Sequence, residues 1–330
     1  MEYRAFVVSE LNDGAFSGEL KTLNQENLPA GEVTIKVAYS SLNYKDALSF
    51  SGNKGVTRNF PHTPGIDAVG EVIHCEDASF VVGDKVLVIG YDLGMNTPGG
   101  FGEIIRVPQK WVMKLPADMS EKHSMAWGTA GFTAALCINK LIHNGLLAES
   151  GPVLVSGASG GVGSIAIMLL SKLGFEVHAL TRKADQAEFF KDLGANKVVA
   201  LDEFLDQGKR PLLKPVYSAA VDVAGGEVLA TMLKAIQYGG SIACCGLVDS
   251  TSLNTTVLPF ILRGVNLLGV DSVELPLADK QEVWGKMASS WSLPGLLAQC
   301  QVIKPEQLSD SLKTILDGKV KGRFILEQNK

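Results

Sequence analysis

The segment from Val153 to Lys183 constrains this chain more than any other part of it. A short apolar strand, Val153-Leu154-Val155, leads into the turn Gly157-Ala158-Ser159-Gly160-Gly161-Val162-Gly163. An apolar-faced helix follows, then a second strand ending in Thr181-Arg182-Lys183. A strand that turns straight into a helix needs backbone free of side chains, both to bend and to let an anion approach. Gly160 gives that approach and Gly163 lets the helix pack close on the strand. Ser159, Gly161 and Val162 complete a loop that opens at the positive end of the helix. Val162, Ile165, Ala166, Leu169, Leu170 and Leu173 recur at spacings of three and four, which gives the helix one face to cover a sheet. Gly174 ends it. The turn departs from G-x-G-x-x-G in carrying Ala158 at the first glycine, yet strand, turn, helix and strand in this order predict a dinucleotide-binding unit.

The end of the second strand selects between nicotinamide cofactors. An acidic residue there would hold the ribose 2′-hydroxyl of NAD, whereas a basic group accommodates the 2′-phosphate of NADP. Thr181, Arg182 and Lys183 offer a hydroxyl beside two cations, and the nearest acid, Asp185, lies further on. The prediction is NADPH. The alternative is that Arg182 and Lys183 are solvated loop charges.

Two textures divide the rest. From Met1 to about Pro116 short strands dominate: Glu32 to Val37 alternates polar and apolar, and Gly83-Asp84-Lys85-Val86-Leu87-Val88 reads as a turn feeding a strand. After Ser120 strands and helices alternate. Strands are predicted at 153–156, 176–180, 197–200, 219–223, 240–245 and 265–270, with helices around 185–193 and 227–237 between them. This alternation describes a doubly wound parallel sheet with helices on both faces. The expected architecture is α/β, with a β-rich domain at 1–121 and 271–330 interrupted by a Rossmann domain at 122–270.

Composition narrows the function classes. A net charge of −5, with 46% hydrophobic and 20% charged residues, supplies large cores but no basic field for nucleic acid and no polybasic membrane patch. No apolar run approaches the ~20 residues of a membrane span, and Met1-Glu2-Tyr3-Arg4 does not begin a signal peptide. Cys75, Cys137, Cys244, Cys245 and Cys300 are scattered and read as reduced, buried thiols of a cytoplasmic protein.

Four further runs carry a resemblance: Ser41-Leu42-Asn43-Tyr44-Lys45-Asp46-Ala47, Pro64-Gly65-Ile66-Asp67, Gly128-Thr129-Ala130-Gly131-Phe132-Thr133-Ala134 and Pro259-Phe260-Ile261-Leu262-Arg263. With the glycine turn they resemble the medium-chain dehydrogenase/reductase superfamily, and more narrowly its bacterial acrylyl-CoA reductases, a group also described as quinone oxidoreductases. The resemblance implies a GroES-like catalytic domain joined to a Rossmann domain, a homodimer, and NADPH-dependent reduction of the acrylyl-CoA double bond. Zinc-dependent members hold catalytic zinc with two cysteines and a histidine, and the matching positions here are Asn43, Ile66 and Ala130. Two of these offer no donor atom and the third is a poor ligand. Closely spaced cysteines for a structural zinc are absent near residues 90–105. His62, His74, His123, His143 and His178 show no ligand spacing either, so no metal is expected.

Reduction of an activated carbon–carbon double bond needs no Lewis acid. Hydride adds to the β-carbon of an unsaturated thioester, charge gathers on the thioester oxygen as an enolate, and a proton completes the α-carbon. Hydrogen-bond donors stabilise such an oxyanion. Asn43 and Tyr44, in the loop expected after the strand at 33–41, are the leading catalytic candidates. Tyr44 is suited to orient the nicotinamide, to donate to the enolate or to supply the proton; its alternative is a packing residue with a wet hydroxyl. Asp67 either pairs with a cation near the nicotinamide, Arg323 being one candidate and itself assigned to the cofactor site, or bonds backbone amides after Gly65. Lys45 and Asp46 read as solvated loop charges. The resemblance places further cofactor contacts at Lys197, Leu247, Ile261 and Ser272. On residue type alone, Leu247 and Ile261 read as core and Lys197 as a solvated strand end. The family's usual serine-x-arginine at the phosphate site is here Thr181-Arg182-Lys183. Alternative functions are a quinone or small-enone reductase and a non-catalytic dinucleotide-binding redox sensor.

Overall fold

In the computed structural model, which describes residues 1–77 and 79–328, the chain forms two units. The first comprises Met1–Thr129, Ser272–Ser289 and Pro294–Lys330, and the second Ala130–Asp271 and Ser290–Leu293.

The first unit opens with an antiparallel pair, β1 (Glu2–Glu10) and β2 (Phe16–Asn24). The strands β3 (Val33–Ser41), β4 (Asp67–Cys75), β5 (Lys85–Ile89), β6 (Ile104–Val107) and β7 (Val112–Lys114) follow, with the helix α1 (Tyr44–Phe50) after β3. Val33, Ile35 and Val37 of β3 meet Ala68, Val72, Val86 and Val88 in one buried cluster. Each such side chain contributes roughly 1.5–3 kcal/mol by leaving water. This packing fixes the β3–β4–β5 order and with it the two strand ends that carry Ser41 and Asp67. The helix α2 (Glu121–His143) is interrupted at Gly128, whose φ of 49° and ψ of −163° are not helical.

The second unit is a parallel sheet of β8 (Val153–Val155), β9 (Val177–Thr181), β10 (Lys197–Ala200), β11 (Tyr217–Asp222), β12 (Ile236–Cys244) and β13 (Asn266–Gly269). Its order is β10-β9-β8-β11-β12-β13, every neighbour parallel. That is the order of a dinucleotide-binding fold, in which the direction of winding reverses between the first and fourth strands of the sheet, here β8 and β11. All of β8 is buried, as a strand covered by helices on both faces must be. The helices α3 (Gly161–Lys172), α4 (Ala187–Asp192), α5 (Leu201–Asp206), α6 (Gly226–Ala235) and α7 (Leu258–Arg263) connect the strands. The strand expected from 240 begins at Ile236 instead. Gly239, at φ 73°, interrupts the apolar pattern there, and the pairing shifts register between Tyr217 and Ala219 to accommodate it.

The chain returns to the first unit through α8 (Leu277–Ala288), β14 (Cys300–Ile303), α9 (Leu308–Leu316) and β15 (Arg323–Glu327). β15 pairs antiparallel with β3, Ile325 facing Ser41, so Arg323 arrives beside the end of β3. Of the cysteines only Cys137 is buried; Cys75, Cys244, Cys245 and Cys300 are partly exposed, and all five are free thiols. No helix among the described residues is long and apolar enough to cross a membrane.

Candidate active site

The loop after β3 is shorter than expected. Asn43 is the N-cap of α1 and Tyr44 its first residue, because the Asp46 side chain closes the helix start by accepting from Asn43 N (2.7 Å). Around that cap the first unit assembles a buried polar network. Asp67, fully buried at the start of β4, accepts from Ser41 Oγ, from Asn43 Nδ2 (2.8 Å), from Thr129 N (2.9 Å) and from Thr129 Oγ1 (2.5 Å). Arg323, 4% exposed, donates to Asn43 Oδ1 (3.1 Å), to Ser41 Oγ (2.7 Å) and to Leu42 O (3.4 Å). The cation and the carboxylate are therefore joined through Ser41 and Asn43 rather than in a direct ion pair. Burial draws the Arg323 guanidinium below its usual pKa, and the Asp67 charge opposes that shift.

Gly128 is what lets the network close. A Cβ there would fall inside 3.0 Å of Ser41 Oγ, Arg323 Nη2 and Asp67 Oδ2. Its positive φ and this close approach both call for glycine. Sequence reasoning did not assign Ser41, Gly128 or Thr129 to the site; a Gly-Thr pair inside an otherwise helical run was the available signal. Tyr44, next to Asn43 in the chain and the first residue of α1, is 36% exposed.

Two expectations about acids are corrected. Asp46 is not a solvated loop charge: it is fully buried, and besides Asn43 N it accepts from Gly65 N (3.1 Å) and Ile66 N (2.9 Å). The amides after Gly65 are thus taken by Asp46, not by Asp67. Burial, and after it the Asp67 carboxylate, push Asp46 up to about 7 against these backbone donors. An aspartate titrates near ~3.9 in the unfolded chain. Asp46 therefore contributes its full stability below about pH 4 and loses it as pH rises to about 7. In urea titrations the stability of the wild type relative to Asp46→Asn should fall across that window, by at most about 1.4 kcal/mol per pH unit. A pH-independent difference would refute this assignment.

The second unit carries the glycine turn. Gly157 has φ 58°, Gly160 caps α3 without a side chain, and a Cβ on Gly163 would fall inside 3.0 Å of Gly157 O. The N–H groups of Gly161, Val162 and Gly163 occupy the first turn of α3, where no acceptor exists within the helix. Backbone donors, a helix N-terminus and an approach clear of side chains fit the pyrophosphate of a dinucleotide. Behind the turn, Ser156 Oγ donates to Asp222 Oδ1 (2.9 Å) and accepts from Val223 N (2.9 Å), which ties the carboxyl ends of β8 and β11 together. At the end of β9, Thr181 is buried, its Oγ1 accepts from Lys183 N (3.0 Å), and Arg182 is exposed.

The remaining candidates separate. Leu247 and Ile261 are 56% and 69% exposed, so neither is a core residue. Lys197 is exposed at the amino end of β10, opposite His178, whereas Thr181 faces Ala200. It therefore stands about 10 Å of strand away from the basic end of β9. Ser272 is buried where the chain re-enters the first unit.

Residues 29–117 match the alcohol dehydrogenase GroES-like domain, and residues 161–289 match the zinc-binding dehydrogenase family. The donor set does not fit a catalytic zinc. Ile66 and Ala130 carry no donor atom and the Asn43 amide is engaged at both ends; among the described residues no group of three His, Cys, Asp or Glu could hold a metal. The acrylyl-CoA reductase AcuI of Ruegeria pomeroyi is 41% identical over 99% of this chain and 99% of its own. The crystal structure of Escherichia coli K-12 YhdH with bound NADPH is 40% identical and superposes with a TM-score of 0.95, covering 98% of this chain and 100% of that one. That of Bacillus subtilis yhfP with NAD bound is 41% identical, with a TM-score of 0.95 and 99% of both chains covered.

Proposed function

The chain belongs to the medium-chain dehydrogenase/reductase family of oxidoreductases, and from that premise we propose that it reduces acrylyl-CoA to propanoyl-CoA with NADPH. The observation that carries this reading is the Asp67 network. Where zinc members of the family place three metal ligands, this chain has an amide already committed on both sides and two aliphatic side chains. Activation must then come from the substrate itself, and a double bond conjugated to a thioester supplies it. When bound, NADPH provides the hydride for the β-carbon. We assign to the Tyr44 hydroxyl the stabilisation of the enolate oxygen by hydrogen bonding. Asp67, Ser41 and Arg323 hold Asn43, and through it the start of α1 on which Tyr44 stands.

The basic end of β9 favours NADPH over NADH. Loss of a charge-assisted contact costs about 1.5–3 kcal/mol. Arg182→Ala should therefore raise the KM for NADPH about tenfold or more while leaving that for NADH within about twofold. Equal changes for the two cofactors would show that Arg182 does not read the 2′-phosphate. For the substrate, NADPH oxidation should be followed with acrylyl-CoA, crotonyl-CoA and a simple quinone at matched concentrations. Acrylyl-CoA should give the highest kcat/KM; turnover of the quinone alone would overturn the proposal.

A further inference from the structure

Lys280 is a fully buried lysine outside the network described above. Near the start of α8, its Nζ donates to Ile89 O (2.7 Å) and Val273 O (2.8 Å) and lies 3.3 Å from the centroid of the Tyr91 ring. Two carbonyls and an aromatic face are partners suited to an ammonium. Burying a charge to fill space is costly, and methionine, of similar length, would fill it at less cost. What only the ammonium supplies is a direct bond between segments 184 residues apart, the separation that the Tyr91 to Leu275 contact also spans.

Those segments are gripped from both sides. Tyr91 adopts φ 54°, unusual for a residue with a side chain, and its N–H donates to Val273 O (3.1 Å). Its hydroxyl donates to Leu275 O (3.2 Å), and its ring stacks on Trp111 at 5.6 Å. Gly90 N donates to Ile66 O (3.0 Å), and Ile89 faces Asp67 in the sheet. Backbone held in a sparsely populated conformation by its surroundings is a mark of functional positioning.

We infer that Lys280 is a positioning residue for cofactor binding: its ammonium fastens the segment 272–275 to the end of β5 and so fixes Ser272. The inference rests on NADPH as the cofactor and on the contact with it that the family resemblance implies for Ser272. Asp67 has its own donors in Ser41, Asn43 and Thr129, so the chemical step does not depend on this anchor.

The test is Lys280→Met in the full chain, with direct titration of NADPH and with kcat measured at saturating cofactor. The Kd for NADPH should rise about tenfold while kcat stays within about twofold, and the amides of 272–275 should exchange hydrogen faster. Loss of a general structural prop would instead lower kcat and the folded fraction together, which would overturn the inference. Should Lys280→Met fail to fold, Tyr91→Phe removes only the tether to Leu275 and should raise the Kd about threefold; an unchanged Kd there overturns the inference as well. A wild type that does not bind NADPH sinks the cofactor reading and the inference together. Wild-type binding that Lys280→Met leaves unchanged sinks the inference alone.

Discussion

Asp67→Leu should cost about 3–5 kcal/mol of folding stability, because it leaves the Arg323 guanidinium buried without its compensating charge. The four hydrogen bonds that Asp67 accepts would vanish at once: Ser41 Oγ and the Thr129 donors would lose this acceptor, and Asn43 Nδ2 would keep only its long contact to Ser41 O (3.3 Å). The same physics predicts a rescue. Arg323→Met removes the stranded cation, so the double variant Asp67→Leu/Arg323→Met should recover a large part of the loss, a coupling of about 1–3 kcal/mol. Urea unfolding of the four proteins measures it. Additive losses would mean that Ser41 and Asn43 do not link the two charges. Activity should be lost in all three variants, since the network that holds Asn43 and the start of α1 is broken in each.

A second large effect belongs to the glycine turn, where two substitutions separate packing from binding. Gly163→Val places a side chain against Gly157 O and the Ala158 backbone, atoms that cannot swing away, so α3 must leave its seat on β8. NADPH affinity should fall about a hundredfold or more, with a loss of stability on the order of 1–3 kcal/mol. Gly160→Ala differs. Its Cβ would stand 3.4 Å from Gly157 O, an ordinary contact, so the fold tolerates it. The added methyl nevertheless occupies the approach to the free N–H groups of α3. Affinity should fall while the unfolding midpoint hardly moves. Equal loss of stability in the two variants would contradict this division of roles.

These contrasts show what the sequence could and could not convey. The second unit was legible because its signals are local: an apolar strand, a glycine turn and a helix with apolar spacing stand consecutively, and the parallel order of its sheet follows from repeated strand–helix alternation. Thr181, expected at the end of the second strand, does end β9. Of the first unit's network only an association of Asp67 with Arg323 was suggested by the sequence; Ser41 and Thr129 were not, since the network draws its members from four separate elements and only the pairing of β15 with β3 brings Arg323 to Ser41. Asp46 was misread as solvated because its partners, the amides of Gly65 and Ile66, are distant in the chain. Leu247 and Ile261 looked like core residues because residue type alone does not tell a buried apolar side chain from one held at the surface. Lys280 gave no signal, as a buried lysine and a surface lysine on a helix are identical in sequence.

The central claim is that hydride passes from NADPH to the β-carbon of a thioester-activated double bond. It is tested most directly by reacting acrylyl-CoA with NADPH deuterated at the transferring position of the nicotinamide and locating the label in the product. The account predicts one deuterium on the β-carbon of propanoyl-CoA and a solvent-derived proton on the α-carbon. Label on the α-carbon, or NADPH consumed without propanoyl-CoA being formed, would contradict it.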